Sequence, residues 1–338
     1  MRRPRLLALA LSSVALGVGA GPAMAQVPVE GQVAEQVAVS GQAADSSANS
    51  TQIAPSNSNV NVRVLSPGDN GSVDQSNSST AESFAGNAND TAQSVEQSQS
   101  AVGGTAIQEA GQAAGNLQSA ESEANSQQVH PSNSNISVRV LSPGDDGDVN
   151  QSNESKAKSG AFNHNELDQS IDQDQAGSGC RCDSTGIQAA GQEAYSKQHA
   201  DSSARSTQVK PKNENLSVRV LSPGHDGDVD QSNESAAFSK AFNTNDTTQA
   251  IDQSQYGSKC GCHGSTGIQA AGQKAVNWQD ADSSAESKQF YPSNDSLAFR
   301  LKSYAAGGDL TQSNASLAAS YAANRNGLGQ SIAQTQGS

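Results

Sequence analysis

From Gln32 to Gln52, every second residue reads Gln-Ala-Gln-Ala-Ser-Gln-Ala-Ser-Ala-Ser-Gln. The series returns at Gln108–Gln128, Gln188–Gln208 and Gln269–Gln289, altered only by an Asn/Ser exchange in the middle. A second alternate-residue series runs from Val149 through Gln151, Asn153 and Ser155 to Gln175, with sister copies at Val73–Gln99, Val229–Gln255 and Leu310–Gln336. None of the 100 positions in these series is charged. A chain with 16% charged residues would place about sixteen there by chance. The charges sit in between, at Glu193, Lys197, Asp201 and Arg205 in one arm and at Glu154, Lys156, Asp168, Asp172 and Asp174 in the other. Only extended chain turns successive side chains to opposite faces, so each arm has an uncharged face of small and amide residues and a solvated face. The fold class that follows is all-β.

The arms belong to a longer repeat. Val62–Asn77 (VRVLSPGDNGSVDQSN) recurs at Val138–Asn153 and Val218–Asn233, and in degraded form at Phe299–Asn314. The successive offsets are 76, 80 and 81. Each unit holds a short apolar strand, a long arm, a Gly/Ser loop and a second long arm. In the short strand Ile136, Val138 and Val140 share one face, matched by Val60, Val62 and Val64 and by Leu216, Val218 and Val220. The Ser-Pro-Gly-Asp-Asp-Gly that follows has the composition of a turn. Arms of 27 and 21 residues exceed ordinary strands, so bends that keep the in/out phase are expected near Phe162–Asn165 and near Gln198–Asp201. The resulting expectation is a β-solenoid with a Gln/Asn/Ala/Ser interior, each unit supplying two to four strand layers. Its segments are a signal peptide (1–25), an N-terminal half repeat (26–54), repeats at 55–130, 131–210 and 211–291, and a C-terminal half repeat (292–338). Leu, Ile, Val and Phe make up under one fifth of the chain, aromatics 4%, and the net charge is −14, which also fits a largely disordered polymer. The parity of the charges favours the solenoid.

The interior predicted on this basis is a set of ladders through Gln151, Asn153, Gln169, Ile171, Gln173, Gln188, Gln192, Gln198 and Gln208. A buried amide without partners costs about 1–3 kcal/mol. Stacked about 4.8 Å apart, equivalent amides satisfy one another, each donating to one neighbour and accepting from the other. Val149, Leu167 and Ile171 supply the modest apolar burial. The alternate-residue pattern Leu167-Gln169-Ile171-Gln173, preceded by Asn and Ala positions, resembles the inward face of curlin repeats, secreted bacterial subunits that stack Gln/Asn ladders into extracellular fibres. The resemblance covers the arms alone; the long repeat period, the acidic Pro-Gly-Asp turns and the cysteines depart from it. It implies a matrix or surface-fibre role and no activity.

Arg2, Arg3 and Arg5, the apolar run Leu6 to Ala20, and Ala23-Met24-Ala25 have the form of a secretion signal, so a secreted or cell-surface location is expected. Loss of those three arginines takes the charge from −14 to −17, which disfavours nucleic acid and anionic membranes as partners. No segment is apolar over a bilayer-spanning length. Cys180, Cys182, Cys260 and Cys262 form two Cys-x-Cys pairs, read first as disulfides. Metal capture, with His263 beside one pair, and redox chemistry stay open. With several layers per unit the two pairs would lie about 10–20 Å apart and could not bridge to each other. Asp145, Asp146 and Asp148, with Asp69, Asp226 and Asp228, offer oxygens to calcium, but their spacing matches neither the EF-hand nor the calcium-binding nonapeptide, and turn formation is preferred. No cofactor other than that calcium is implied.

No catalytic constellation is visible, and an enzyme is not expected. The triplets Asn153-Glu-Ser and Asn233-Glu-Ser would be glycan acceptors if exposed, but their Asn fall on the inward series. Phe84, Phe162, Phe238, Phe242, Tyr195 and Trp278 fall on the outward series, near the expected corners, where they could adhere to a partner or cover an edge. The chain opens on one type of arm and closes on the other, so head-to-tail copies would continue the repeat. The function expected is a structural repeat protein of an extracellular matrix, fibre or cell envelope, self-associating or held by a surface partner. The alternative is a soluble acidic solenoid that binds cations or a basic ligand.

Overall fold

The computed structural model describes residues 29–101, 104–177, 184–257, 266–304 and 306–337. Among them every regular element is a strand, and no helix is long and apolar enough to cross a membrane. The twelve strands fall into four rungs of three. The first rung is β1 (Val29–Ile53), β2 (Ser56–Val64) and β3 (Val73–Ala101). The second is β4 (Gly104–Val129), β5 (Ser132–Val140) and β6 (Val149–Gly177), and the third is β7 (Ser184–Val209), β8 (Lys212–Val220) and β9 (Val229–Tyr256). The fourth is β10 (Thr266–Phe290), β11 (Ser293–Leu301) and β12 (Leu310–Gly337). Equivalent strands stack in parallel into three four-stranded sheets, β1-β4-β7-β10, β2-β5-β8-β11 and β3-β6-β9-β12. The fold is the expected repeat-built β-solenoid. Repeat units cut at 55, 131, 211 and 292 trace the same coil from a different starting point, and the half repeats at the two ends complete a fourth turn.

Two expectations are overturned. Each repeat unit forms one rung, not two to four layers, and neither arm bends: Phe162–Asn165 and Gln198–Asp201 lie inside continuous strands β6 and β7. Strands of 25–29 residues survive because each lies in unbroken register on a near copy of itself. Ladders of identical side chains resist the twist that limits ordinary sheets. At about 3.3 Å per residue the longest strands reach roughly 95 Å, so the coil is a flat slab.

The corners are local. Ala54, His130, Lys210 and Tyr291 turn the chain from the long first strand into the short one with φ of 50–53°, each followed by proline. Leu65, Leu141, Leu221 and Lys302 turn it again after the short strand, with φ of 49–54°. The return strand then runs back against the start of the short strand and the whole of the long one. Gly144 (φ 135°) sits in this second turn, where an added Cβ would come within 2.3 Å of the Gly68 carbonyl oxygen one rung below. The turns therefore stack as closely as the strands do.

The two long sheets meet through small side chains. Ala81, Ala124, Ala157, Ala204 and Ala237 form one buried cluster, and Ala85, Ala120, Ala161, Ala200 and Ala241 another. Ser50 and Ser79 hydroxyls touch across the interface at 2.8 Å. Larger residues face alanine: Val95, Ile171 and Ile251 pack on Ala110 and Ala190, and Leu167 on Ala114 and Ala194.

The short strands reverse the usual burial. Their inward face carries Asn133, Asn135, Ser137 and Arg139, while Ile136, Val138 and Val140 point outward. The outward aromatics lie along the strands, not at corners. Phe162, Phe242 and Tyr321 stack up the outer face, with ring centroids 5.9 and 5.0 Å apart.

Candidate functional site

Every interior position expected from the sequence lies in the buried interface: Gln151, Asn153, Gln169, Ile171, Gln173, Gln188, Gln192, Gln198 and Gln208. The amides form continuous ladders. Gln192 Nε2 donates to Gln112 Oε1 at 2.9 Å and Gln273 Nε2 to Gln192 Oε1 at 2.9 Å. The second N–H of Gln192 reaches the Ala250 carbonyl across the interface at 3.0 Å. Each such glutamine thus closes both sheets at once. Asn77, Asn153, Asn233 and Asn314 make an equivalent file at 2.8–2.9 Å. Asn153 and Asn233, both in glycan triplets, are buried.

The ladders have a direction. Same-column glutamine bonds run from a later rung's N–H to an earlier rung's carbonyl, as in Gln173 to Gln97 (2.7 Å) and Gln334 to Gln253 (2.7 Å). Same-column asparagine bonds run the other way, as in Asn163 to Asn243 and Asn243 to Asn324, both 2.9 Å. The first-rung face therefore directs Gln N–H and Asn C=O out of the stack, and the last-rung face directs Gln C=O and Asn N–H. Two columns depart from this: at the Gln99–Gln175 step Gln99 Oε1 and Gln175 Nε2 are buried without a hydrogen-bond partner among the described residues, and another column holds the Asn/Ser exchange. Serine cannot span a rung as asparagine does, and the Asn116 and Asn277 Oδ1 and Ser196 Oγ atoms are buried without a hydrogen-bond partner among the described residues.

A second buried system was missed from the sequence. The Arg139 and Arg219 side chains are 0% exposed. Arg139 Nε donates to Asp146 Oδ1 at 2.6 Å, Nη1 to the Gly68 carbonyl at 2.7 Å and Nη2 to the Asp145 carbonyl at 2.5 Å. Arg219 bonds Asp226 Oδ1 in its own rung at 2.6 Å and Asp146 Oδ2 in the rung below at 2.9 Å. Arg300 reaches down to Asp226 in the same way. Arg63, in the first rung, has Asn70 instead, at 2.6 Å. The signal was present: an arginine in all four short strands, followed seven residues later by Asn70, Asp146 or Asp226 in the first three. Beside this file a cavity of about 210 Å³ runs past all four rungs, lined by polar residues such as Asn135, Ser137 and Asp146 and by valines such as Val149.

Burial alone would push the Asp146 carboxyl up. Hydrogen bonds from Arg139 and Ser137, with the charges of Arg219 and Arg139, together outweigh burial and hold it below the ordinary carboxylate value. A depressed folded value means that this stabilisation is complete above the unfolded value, about 3.8, and is lost as pH falls through the folded one. Wild type should therefore lose stability from about pH 4 downward more steeply than Asp146→Asn, which has no proton to take up there. Thermal midpoints of the two chains across that range measure the difference. Asp172 behaves oppositely: burial, and then its neighbours Asp174, Asp252 and Glu96 on the outer face, raise its value.

The carboxylates considered for calcium are engaged within the coil. Asp145 Oδ1 accepts the His225 N–H at 2.6 Å, Asp148 Oδ1 the Asp228 N–H at 3.0 Å, and Asp228 Oδ1 the Asp309 N–H at 2.8 Å. Asp146 and Asp226 hold the arginines. Among the described residues no group of three or more His, Cys, Asp or Glu side chains is placed to hold a metal. A chelator should leave the unfolding midpoint unchanged, which differential scanning calorimetry can check.

Cys180, Cys182, Cys260 and Cys262, like the signal segment, lie outside the described residues. Their flanking strands stack one rung apart, Ala176 on Tyr256 and Thr185 on Thr266.

Compared with known proteins, the chain matches no family model, no curated protein and no solved structure.

Proposed function

We propose that the protein is a secreted, non-enzymatic structural subunit that stacks head to tail into a fibre of an extracellular matrix or cell envelope. The observation that carries this reading is the complementarity of the two end faces. Set on the first rung of a second copy, the last rung brings Gln312 over Gln75, Asn314 over Asn77, Ser316 over Ser79, Ala318 over Ala81 and Gln330 over Gln93. The Asn and Gln directions match across that junction, donor to acceptor, as they do inside the molecule. Strand edges of this length are templates for further pairing. The signal segment supports export.

The test is growth of the purified mature chain, followed by sedimentation and electron microscopy. Filaments in which each stack repeats every four rungs, about 19 Å, support the reading. A sedimentation profile that stays monomeric at all concentrations overturns it.

A further inference from the structure

The outward face of the short-strand sheet is a flat apolar stripe without charge. Three alternate positions contribute in every rung; the middle column is Val62, Val138, Val218 and Phe299, and the columns on either side hold only Val, Ile and Leu. In the first rung Val62 is 60% exposed, and in the last Phe299 is 52% exposed. The inner-rung members are half-buried, covered only by their neighbours above and below. A contiguous apolar patch rimmed by polar residues marks a contact surface. The adjoining outward positions of the same sheet turn polar, with Lys212, Glu214 and Asp295, so the stripe is sharply bounded.

From these observations we infer that the stripe is a lateral interface with a second copy of this chain, pairing two stacked filaments face to face. The inference rests on the stacking reading above. Three alternate residues and four rungs cover about 20 by 19 Å, roughly 400 Å² per molecule. A stable interface needs about 800 Å² per partner, so two single molecules do not pair through the stripe. Stacking changes this. Two copies in a filament present a continuous stripe of the required area, and each added copy extends it without paying the association cost again. Flat in-register sheets with identical branched side chains interdigitate across such a face. Lateral pairing therefore follows elongation and does not precede it. Acidic charge elsewhere on the coil opposes the approach, so added salt favours pairing.

The test uses the full mature chain and the double variant Val138→Lys/Val218→Lys, whose side chains point away from the interior. Val138→Ser/Val218→Ser, which removes the apolar contact without adding charge, serves as a second variant. Mass per length is read by scanning transmission electron microscopy. Wild-type filaments should hold two chains in each four-rung axial repeat and both variants one, a twofold fall at unchanged growth. Circular dichroism of the dilute variants should match wild type. A wild-type filament with a single chain per axial repeat, or pairs that survive both substitutions, overturns the lateral interface and leaves stacking intact. If no filament forms at all, both readings fail.

Discussion

Ala322→Lys should abolish polymer growth while leaving the isolated molecule folded. Ala322 lies on the last rung, exposed toward the open end of the stack, with Ala241 buried beneath it. In a lone molecule the ammonium reaches water. At a junction it would face Ala85 of the next copy inside a closely packed, uncharged interface, and burying an unpaired charge there costs several kcal/mol. A loss of about 1.4 kcal/mol is tenfold in affinity, so growth should drop by more than two orders of magnitude. Ala44→Lys blocks the opposite face in the same way, because Ala44 packs on the same alanine cluster from the first rung. Each variant alone should sediment as a monomer. Mixed in equal amounts they should give one-to-one dimers that grow no further, because each supplies the face the other lacks. Dimers of a single blocked variant, or filaments from either alone, would show that the chain assembles by some other geometry.

Asp146→Ala should be the most damaging single change to stability, at about 3–5 kcal/mol by chemical denaturation. The loss strands the Arg139 guanidinium, which has no other carboxylate and no solvent, and takes one of the two carboxylates of the equally buried Arg219, which keeps Asp226. It also removes the acceptor of the Ser137 hydroxyl and the Asn70 amide, at 3.0 and 2.7 Å. Asp145→Ala, one residue away, removes an exposed acceptor for one backbone N–H and should cost about 1 kcal/mol. The first rung tolerates Asn70 at the equivalent place because Arg63 is only half-buried and keeps water on one side. Equal effects of the two substitutions would mean that the buried arginine file contributes nothing beyond ordinary turn contacts.

Much of this architecture was legible in the parity of the charges. A strand interior excludes charge residue by residue, so the alternate columns from Gln151 to Gln175 and from Gln188 to Gln208 named their own burial. The number of layers was not legible, because strand-length expectations come from twisted sheets with varied neighbours. Here Gln169 lies between Gln93 and Gln249, and the same holds along most of the arm. Which face of the short strand is buried was not legible either. Val138 and its neighbours have the form of a core-facing stripe, and nothing local reveals that Asn133, Asn135 and Arg139 are the buried set. What settles their direction is non-local: Asn133 bonds Asn153 across the coil at 3.3 Å and Asn213 in the next rung at 2.9 Å. The aromatics were expected near bends within the arms, where strands β6 and β7 run on unbroken.

The unbroken register also sets how the molecule carries load. Sixty-three residue pairs join the second rung to the third, and their backbone bonds all point along the stacking axis. Tension on that axis strains the whole set simultaneously, so no rung yields until the applied force exceeds the combined strength of its junction. Pulling sideways at one edge would instead open the same junction a bond at a time, like a zip. A material spun from such coils would be stiff and brittle lengthwise and easy to peel from the side.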